Sequence, residues 1–363
     1  MIPFSVKGVS YLPQIISVGT AVPHNSFKQK DVKNVVKAMF GDKIAAIDRM
    51  IQIFDNSAIG ERFFCVPMEW FLEDHDFAEK NALYITQATQ LSIQAIEKCL
   101  SKTDFEVQDI DKIFFVSSTG IATPSIDAHI INEMHFHKHV KRTPIWGLGC
   151  AGGTVGLTQA FEYTTAFPTE KVLLVTVELC GLTFQRQDFS KSNIIATALF
   201  GDGAAAVLVS GDKVPIHGNT SIEILNTRST IWEKTQSVMG WEITGRGLQV
   251  IFSKDIPNFV RKNMQVNITD FVHEQGLSLD DIKHFIIHPG GIKVINAYQE
   301  ALTLQDKNVV FEKEIIAKYG NMSSPTVLFV LEKFMKCNVA QGEYGIITAL
   351  GPGFSSEILL IKW

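Results

Sequence analysis

Trp146-Gly147-Leu148-Gly149-Cys150-Ala151-Gly152-Gly153-Thr154-Val155-Gly156-Leu157 sets a single thiol among five glycines and then passes into a helix-compatible run. Glycine on either side of Cys150 lets the backbone turn sharply and lets another group come close where a Cβ would obstruct it. The thiol is thereby presented at a turn. A helix starting near Gly152 and running through Phe161 would aim its unpaired N–H groups and the positive end of its dipole at Cys150, which favours thiolate over thiol. We therefore expect a nucleophile with a lowered pKa, more reactive than any other cysteine of the chain. The alternative for the same residues is a buried free cysteine in a glycine-rich bend.

The rest of the sequence must supply a body for this turn. At 363 residues the chain exceeds the size at which one hydrophobic core stops growing, so two packed halves are expected. Hydrophobic residues at 46% and charged residues at 20% exclude a disordered or fibrous chain. With a net charge of −5 and no long Lys/Arg block, nothing marks nucleic acid as a partner. The five cysteines (Cys65, Cys99, Cys150, Cys180, Cys337) are odd in number, widely spaced and without a Cys-x-x-Cys pair, so they read as reduced thiols rather than as disulfides or zinc ligands. Residues 1–8 lack the pattern of an export signal. No apolar run approaches the length of about 18 residues of a membrane span, so we expect a cytoplasmic protein without stable membrane insertion.

Several short apolar runs read as buried strands: Gln14-Ile15-Ile16-Ser17-Val18-Gly19, Lys112-Ile113-Phe114-Phe115-Val116, Lys171-Val172-Leu173-Leu174-Val175-Thr176-Val177, residues 203–209, 284–288, 344–350 and 357–361. They are too continuous for half-exposed strands. Between them lie helical patterns, clearest over residues 81–100, where Ala88, Leu91, Ala95 and Cys99 share a face. Strands alternating with helices predict an α/β layered fold. Ser210-Gly211-Asp212-Lys213-Val214-Pro215 is the best composition break, dividing the chain into halves 1–212 and 213–363. His135, His137 and His139 alternate as metal ligands do, but Lys138, Lys141 and Arg142 would repel a cation, and we read a solvated loop.

Two further segments offer partners for thiolate acyl chemistry. Ile287-His288-Pro289-Gly290-Gly291 puts a histidine at the end of a buried strand, where it could accept the thiol proton and return it. Tyr319-Gly320-Asn321-Met322-Ser323-Ser324-Pro325 puts an amide donor in a turn that leads into a helix. Taken singly, each has an ordinary structural reading: a core histidine satisfied by backbone, and an asparagine chosen for a turn or cap.

Together these segments resemble the condensing enzymes of the thiolase superfamily, most closely the type III polyketide synthases related to chalcone synthase. Gly147-Leu148-Gly149-Cys150-Ala151-Gly152-Gly153, His288-Pro289-Gly290-Gly291 and Gly320-Asn321-Met322-Ser323-Ser324 resemble the family's cysteine, histidine and asparagine segments in the same order, and Gly351-Pro352-Gly353 a fourth. The resemblance implies a thiolase-like duplicated α-β-α-β-α five-layer fold, a homodimer, and a buried cavity where Cys150, His288 and Asn321 meet. It implies acyl-CoA and malonyl-CoA as substrates, with neither metal nor redox cofactor. It carries substrate-binding roles onto Phe200 as a gatekeeping aromatic and onto Thr123, Thr183, Val250, Gly290, Ser323, Gly351, Pro352 and Gly353. Of the basic residues that hold CoA phosphates in plant relatives only Arg49 matches; Gln52 and Asn56 stand at the others, leaving Lys293 as a substitute and Arg62 as a further candidate.

Val250 and Thr123 replace larger residues of plant relatives, a phenylalanine and a methionine. A wider apolar cavity would suit a medium- or long-chain fatty acyl starter and alkylpyrone or alkylresorcinol products, unless Trp241 fills the vacated space. A ketoacyl synthase III making a single condensation is the rival enzyme, and a non-catalytic acyl-CoA-binding protein the rival from another class.

Overall fold

Strands that are apolar on both faces need cover on both faces, and the chain supplies it with helices. The computed structural model describes residues 12–41, 43–44, 46–216 and 221–363; residues 1–8, read above for an export signal, lie outside the described residues. The first run comprises β1 (Gln14–Ala21), β2 (Asn25–Lys28), α1 (Gln29–Phe40), the short α2 (Ile47–Met50) and α3 (Gln52–Asp55), β3 (Glu61–Phe64), α4 (Phe77–Leu100), β4 (Lys112–Val116), α5 (Ile126–Glu133), β5 (Lys141–Ile145), α6 (Gly152–Ala166), β6 (Lys171–Leu179), α7 (Lys191–Leu199) and β7 (Asp202–Ser210). The second comprises β8 (Ile222–Ile231), β9 (Met239–Thr244), β10 (Gly247–Phe252), α8 (Ile256–Glu274), β11 (Ile282–Ile287), α9 (Ile292–Leu302), α10 (Val310–Tyr319), α11 (Thr326–Met335), β12 (Tyr344–Gly351) and β13 (Ser355–Lys362).

Nine strands form one sheet in the order β11-β12-β13-β8-β1-β7-β6-β4-β5. Its two halves are joined where β1 meets β8 through the pairs Gln14↔Glu223 and Ile15↔Ile222. The strand directions repeat on either side of that joint. β1-β7 and β7-β6 are antiparallel and β6-β4 parallel; β8-β13 and β13-β12 are antiparallel and β12-β11 parallel. Duplication is thus written in the topology.

Successive side chains of a strand point to opposite faces, and here they enter different layers. Phe114, Val116, Val207, Ile286, Ile347 and Leu359 pack with α6 and α11 in a central core shared by both halves. Ile113, Phe115, Ala206 and Leu208 pack against α4 on one outer face. Phe285, Ile287, Ile346 and Leu360 pack against α8 and α9 on the other. The result is five layers, α-β-α-β-α.

Local chemistry sets the elements. Asp76 caps α4 by accepting from Glu79 N at 2.8 Å, so this helix starts four residues before the expected stretch, and Ala88, Leu91, Ala95 and Cys99 are all buried along it. His135, His137 and His139 lie in the turn and loop between α5 and β5, as read from the sequence, and Lys141 and Arg142 begin β5, an edge strand parallel to β4. His137 faces Ile110 O through Nε2 while its Nδ1 accepts from His139 N, and among the described residues no cluster of three or more His, Cys, Asp or Glu is placed to hold a metal ion.

Candidate active site

Cys150 lies in a tight 3₁₀ turn, Gly149–Ala151, that runs directly into α6. Gly149 takes φ +47°, and a Cβ there would meet Pro352 Cδ at 2.9 Å; a Cβ on Gly153 would come within 2.3 Å of Ser324 O. These glycines therefore serve close packing by the chain's own loops, which press the Asn321 segment and Pro352 against the cysteine turn. His288 follows β11, its N–H donating to Thr348 O at 2.8 Å. Asn321 sits between α10 and α11 and joins the first half through Asn321 N donating to Leu199 O (2.9 Å) and Gly201 N donating to Asn321 O (3.0 Å).

The three expected residues come together. Asn321 Nδ2 lies 3.9 Å from Cys150 Sγ and donates to Gly290 O at 3.4 Å. Its Oδ1 accepts from Ser323 N at 2.8 Å, which fixes the amide with its donor face toward the thiol. Cys150, His288, Gly290 and Asn321 line one cavity of about 330 Å³, closed by Met239, Phe252, Ile256, Val294, Tyr298 and Leu350. His288 is buried and neither ring nitrogen has a hydrogen-bond partner, so both are uncommitted.

Electrostatics differ from the sequence expectation. Burial pushes the Cys150 thiol up to about 11, against the opposing pull of hydrogen bonds from Ser323 and Asn321. Burial also pushes the His288 imidazole down to about 3. Both shifts favour a neutral thiol with a neutral imidazole over an ion pair, and desolvation is the largest cause of each. Because the thiolate is the reactive form, alkylation of Cys150 by iodoacetamide, followed by peptide mapping, is expected to quicken about tenfold per pH unit between pH 7 and 10. A plateau near neutrality would restore the lowered pKa.

Phe200, Thr183 and Val250 line a second, apolar cavity of about 670 Å³, with Trp241, Cys180 and side chains of α1. Trp241 is the cross-strand neighbour of Val250, and the space remains with that indole in its wall. The rings of Phe200 and Phe252 meet edge to face at 6.0 Å; Phe200 belongs to the apolar cavity and Phe252 to the Cys150 cavity, so this pair stands between the two.

Other expected residues lie elsewhere. Thr123 is exposed and lines neither cavity. Gly351 and Pro352 back the cysteine turn, a Cβ on Gly351 meeting Ala151 Cβ at 2.5 Å, while Gly353 packs on Ile231; none of the three lines the cavity. Arg49 is exposed on α2, and Lys293 is exposed beside Val294 at the start of α9. Arg62 is no phosphate ligand: it is buried and donates to Gln29 Oε1, Thr197 O and Phe200 O. Sequence reading missed Glu178, whose buried carboxylate accepts from Ser118 N, Thr119 Oγ1 and Ser324 Oγ, and which burial pushes up to about 7. Its signal was an acid at the end of the otherwise apolar β6.

Comparison with known proteins agrees with this geometry. The family model for the N-terminal domain of chalcone and stilbene synthases matches residues 7–213, and that for their C-terminal domain residues 223–363. A protein of Bacillus subtilis (strain 168) named "Putative chalcone synthase" is 42% identical over 358 residues, 96% of this chain and 98% of its own. The 1,3,6,8-tetrahydroxynaphthalene synthase of Streptomyces peucetius subsp. caesius is 34% identical, covering 96% of this chain and 93% of its own. The crystal structure of 1,3,6,8-tetrahydroxynaphthalene synthase from Streptomyces coelicolor A3(2), described as a bacterial type III polyketide synthase, superposes with a TM-score of 0.91 at 26% identity, over 96% of this chain and 99% of that one. Matching family models over nearly the whole length, with the same layered fold, decide against a ketoacyl synthase III: the chain belongs to the chalcone and stilbene synthase family and is a type III polyketide synthase, a condensing acyltransferase.

Proposed function

We propose that the enzyme loads a medium- or long-chain fatty acyl group from CoA onto Cys150, extends it with malonyl-CoA, and releases alkylpyrone or alkylresorcinol products. One observation carries this reading: the 670 Å³ apolar cavity across the Phe200–Phe252 pair from Cys150, walled by Val32, Val36, Met39 and Val250. Each methylene buried there contributes about 0.8 kcal/mol, so long chains outcompete acetyl by binding alone.

In loading, Cys150 Sγ attacks the thioester carbonyl while His288 takes the thiol proton and passes it to the departing CoA sulfur. Malonyl-CoA then loses carbon dioxide. The enolate oxygen left behind is met by Asn321 Nδ2 and a His288 N–H. The enolate carbon attacks the acyl carbonyl on Cys150, the C–S bond breaks with its electron pair on sulfur, and a chain two carbons longer leaves on CoA while the Cys150 thiolate takes up a proton from water to restore the thiol. Thioesters supply the activation, so the reading assigns no metal or redox cofactor. The reading gives Lys293, exposed at the start of α9, the role of meeting a CoA phosphate as a point charge. The reading also takes the enzyme as a homodimer, supported by the position of β5 at the edge of the sheet among the described residues and by the exposed Trp146 and Ile121 nearby.

More distant relatives are named for 3,5-dihydroxyphenylacetyl-CoA and phloroglucinol, so malonyl-CoA belongs among the starters tested. The decisive measurement is kcat/KM against starter length for the wild type and for Val250→Phe. The wild type is expected to favour long chains by roughly fourfold per methylene, and the added ring to move the optimum shorter. A wild type that prefers acetyl, malonyl or aromatic starters overturns the reading. No carbon dioxide from malonyl-CoA would leave a non-catalytic acyl-CoA-binding protein.

A further inference from the structure

The apolar cavity has a neighbour of opposite character. A groove of about 980 Å³ lies between the start of α4, the segment 184–187 and the β9–β10 turn, lined by Glu73, Asp74, Asp76, Glu79, Arg186 and Arg246. Among the described residues only Phe71 and Phe184 line both spaces. Their rings meet edge to face at 6.0 Å. Phe71 is braced from within by Phe64 (5.6 Å) and Phe27 (6.3 Å), and Phe184 by Phe40 (6.3 Å). The backbone behind Phe184 is tied independently: its carbonyl accepts from Lys80 Nζ at 2.8 Å, and Gln185 Nε2 donates to Arg246 O at 3.2 Å.

Resting on the fatty acyl reading above, we propose that Phe71 and Phe184 form the wall that sets the longest starter the enzyme accepts. Up to this wall every added methylene leaves water for an apolar surface and binding improves. Past it, the next carbon would have to displace an aromatic pair and enter a groove rimmed by carboxylates and guanidinium groups, where burying an alkyl end gains nothing and desolvating the charges costs. Affinity therefore climbs with length and then breaks off. Gradual decline is the signature of a chain that merely protrudes into solvent; an abrupt limit is that of a wall.

The test reads acyl-enzyme formation by intact mass across saturated acyl-CoA starters from C4 to C20, in the wild type, Phe184→Ala and Phe71→Leu, each profile normalised to its own maximum. Thermal melting confirms that the variants are folded, and Phe71→Leu keeps an apolar side chain should Phe184→Ala unfold. The wild type is expected to rise with length and fall at least tenfold within two to four carbons of its optimum, and the variants to move that limit longer by two carbons or more. A sharp wild-type limit that neither folded variant moves overturns the wall while leaving the fatty acyl reading intact. A wild type that does not favour longer chains overturns both.

Discussion

Cys150→Ala is expected to leave no covalent acyl-enzyme by intact mass with any acyl-CoA starter, and to reduce polyketide formation by about 10⁵-fold or more, the scale seen when a catalytic nucleophile is removed. Among the described residues no second thiol lines the cavity that holds His288 and Asn321. Burial raises the pKa of Cys65, Cys99 and Cys180 as it does that of Cys150, so placement with His288 and Asn321 is what sets Cys150 apart; Cys337 is exposed in the segment after α11. Cys180 is the sharpest control because it lines the apolar cavity. An acyl adduct that persists in Cys150→Ala and maps to Cys180 would move the chemistry across the Phe200–Phe252 pair.

Asn321→Ala is expected to separate the steps. It removes the amide that points at Cys150 Sγ but leaves the thiol and His288 in place, so starter loading should continue while carbon dioxide release from malonyl-CoA falls by roughly 10²–10³-fold, as when one oxyanion donor is lost. His288→Ala should impair both, since its ring nitrogens are the uncommitted base and donor of the cavity. Loading that collapses in Asn321→Ala while decarboxylation continues would exchange the assigned roles. Asn321 also bridges to Leu199 and Gly201 through its backbone, so the substitution keeps those two bonds while losing the side-chain bonds to Ser323 N and Gly290 O.

The site was legible in sequence to the extent that it depends on local backbone geometry. Cys150, His288 and Asn321 each stand in a glycine-bearing turn at the end of a strand or before a helix, and such turns announce themselves. The two-sided strands β4, β6 and β7 were equally plain, since a run of apolar residues has few other uses. What stayed hidden depends on distant neighbours. β5 reads Lys-Arg-Thr-Pro-Ile because an edge strand tolerates charge and proline on its open side. Arg62 looks like any surface arginine until Gln29, Thr197 and Phe200 close around its guanidinium, whose pKa burial lowers to about 9. The raised pKa of Cys150 is likewise a property of the cavity, and the helix behind the residue says nothing about it.

The joint between β1 and β8 governs how the molecule comes into being. Among the described residues β1 is the first strand to leave the ribosome, yet its chief partner is β7, Asp202–Ser210, and its other neighbour β8 comes later still. At ordinary rates of synthesis, about 5–20 residues per second, an apolar strand waits on the order of ten seconds or more for its first pairing. Helix α4 and the α1–α3 region can form meanwhile from local contacts, but the sheet cannot be nucleated from its centre until the first half is complete. A chain interrupted before Ser210 would therefore present Ile15, Ile16 and Val18 as an unpaired edge. The long-range pairing that brings the Cys150 turn of one half against the His288 and Asn321 loops of the other also makes the nascent enzyme open to aggregation for most of its synthesis.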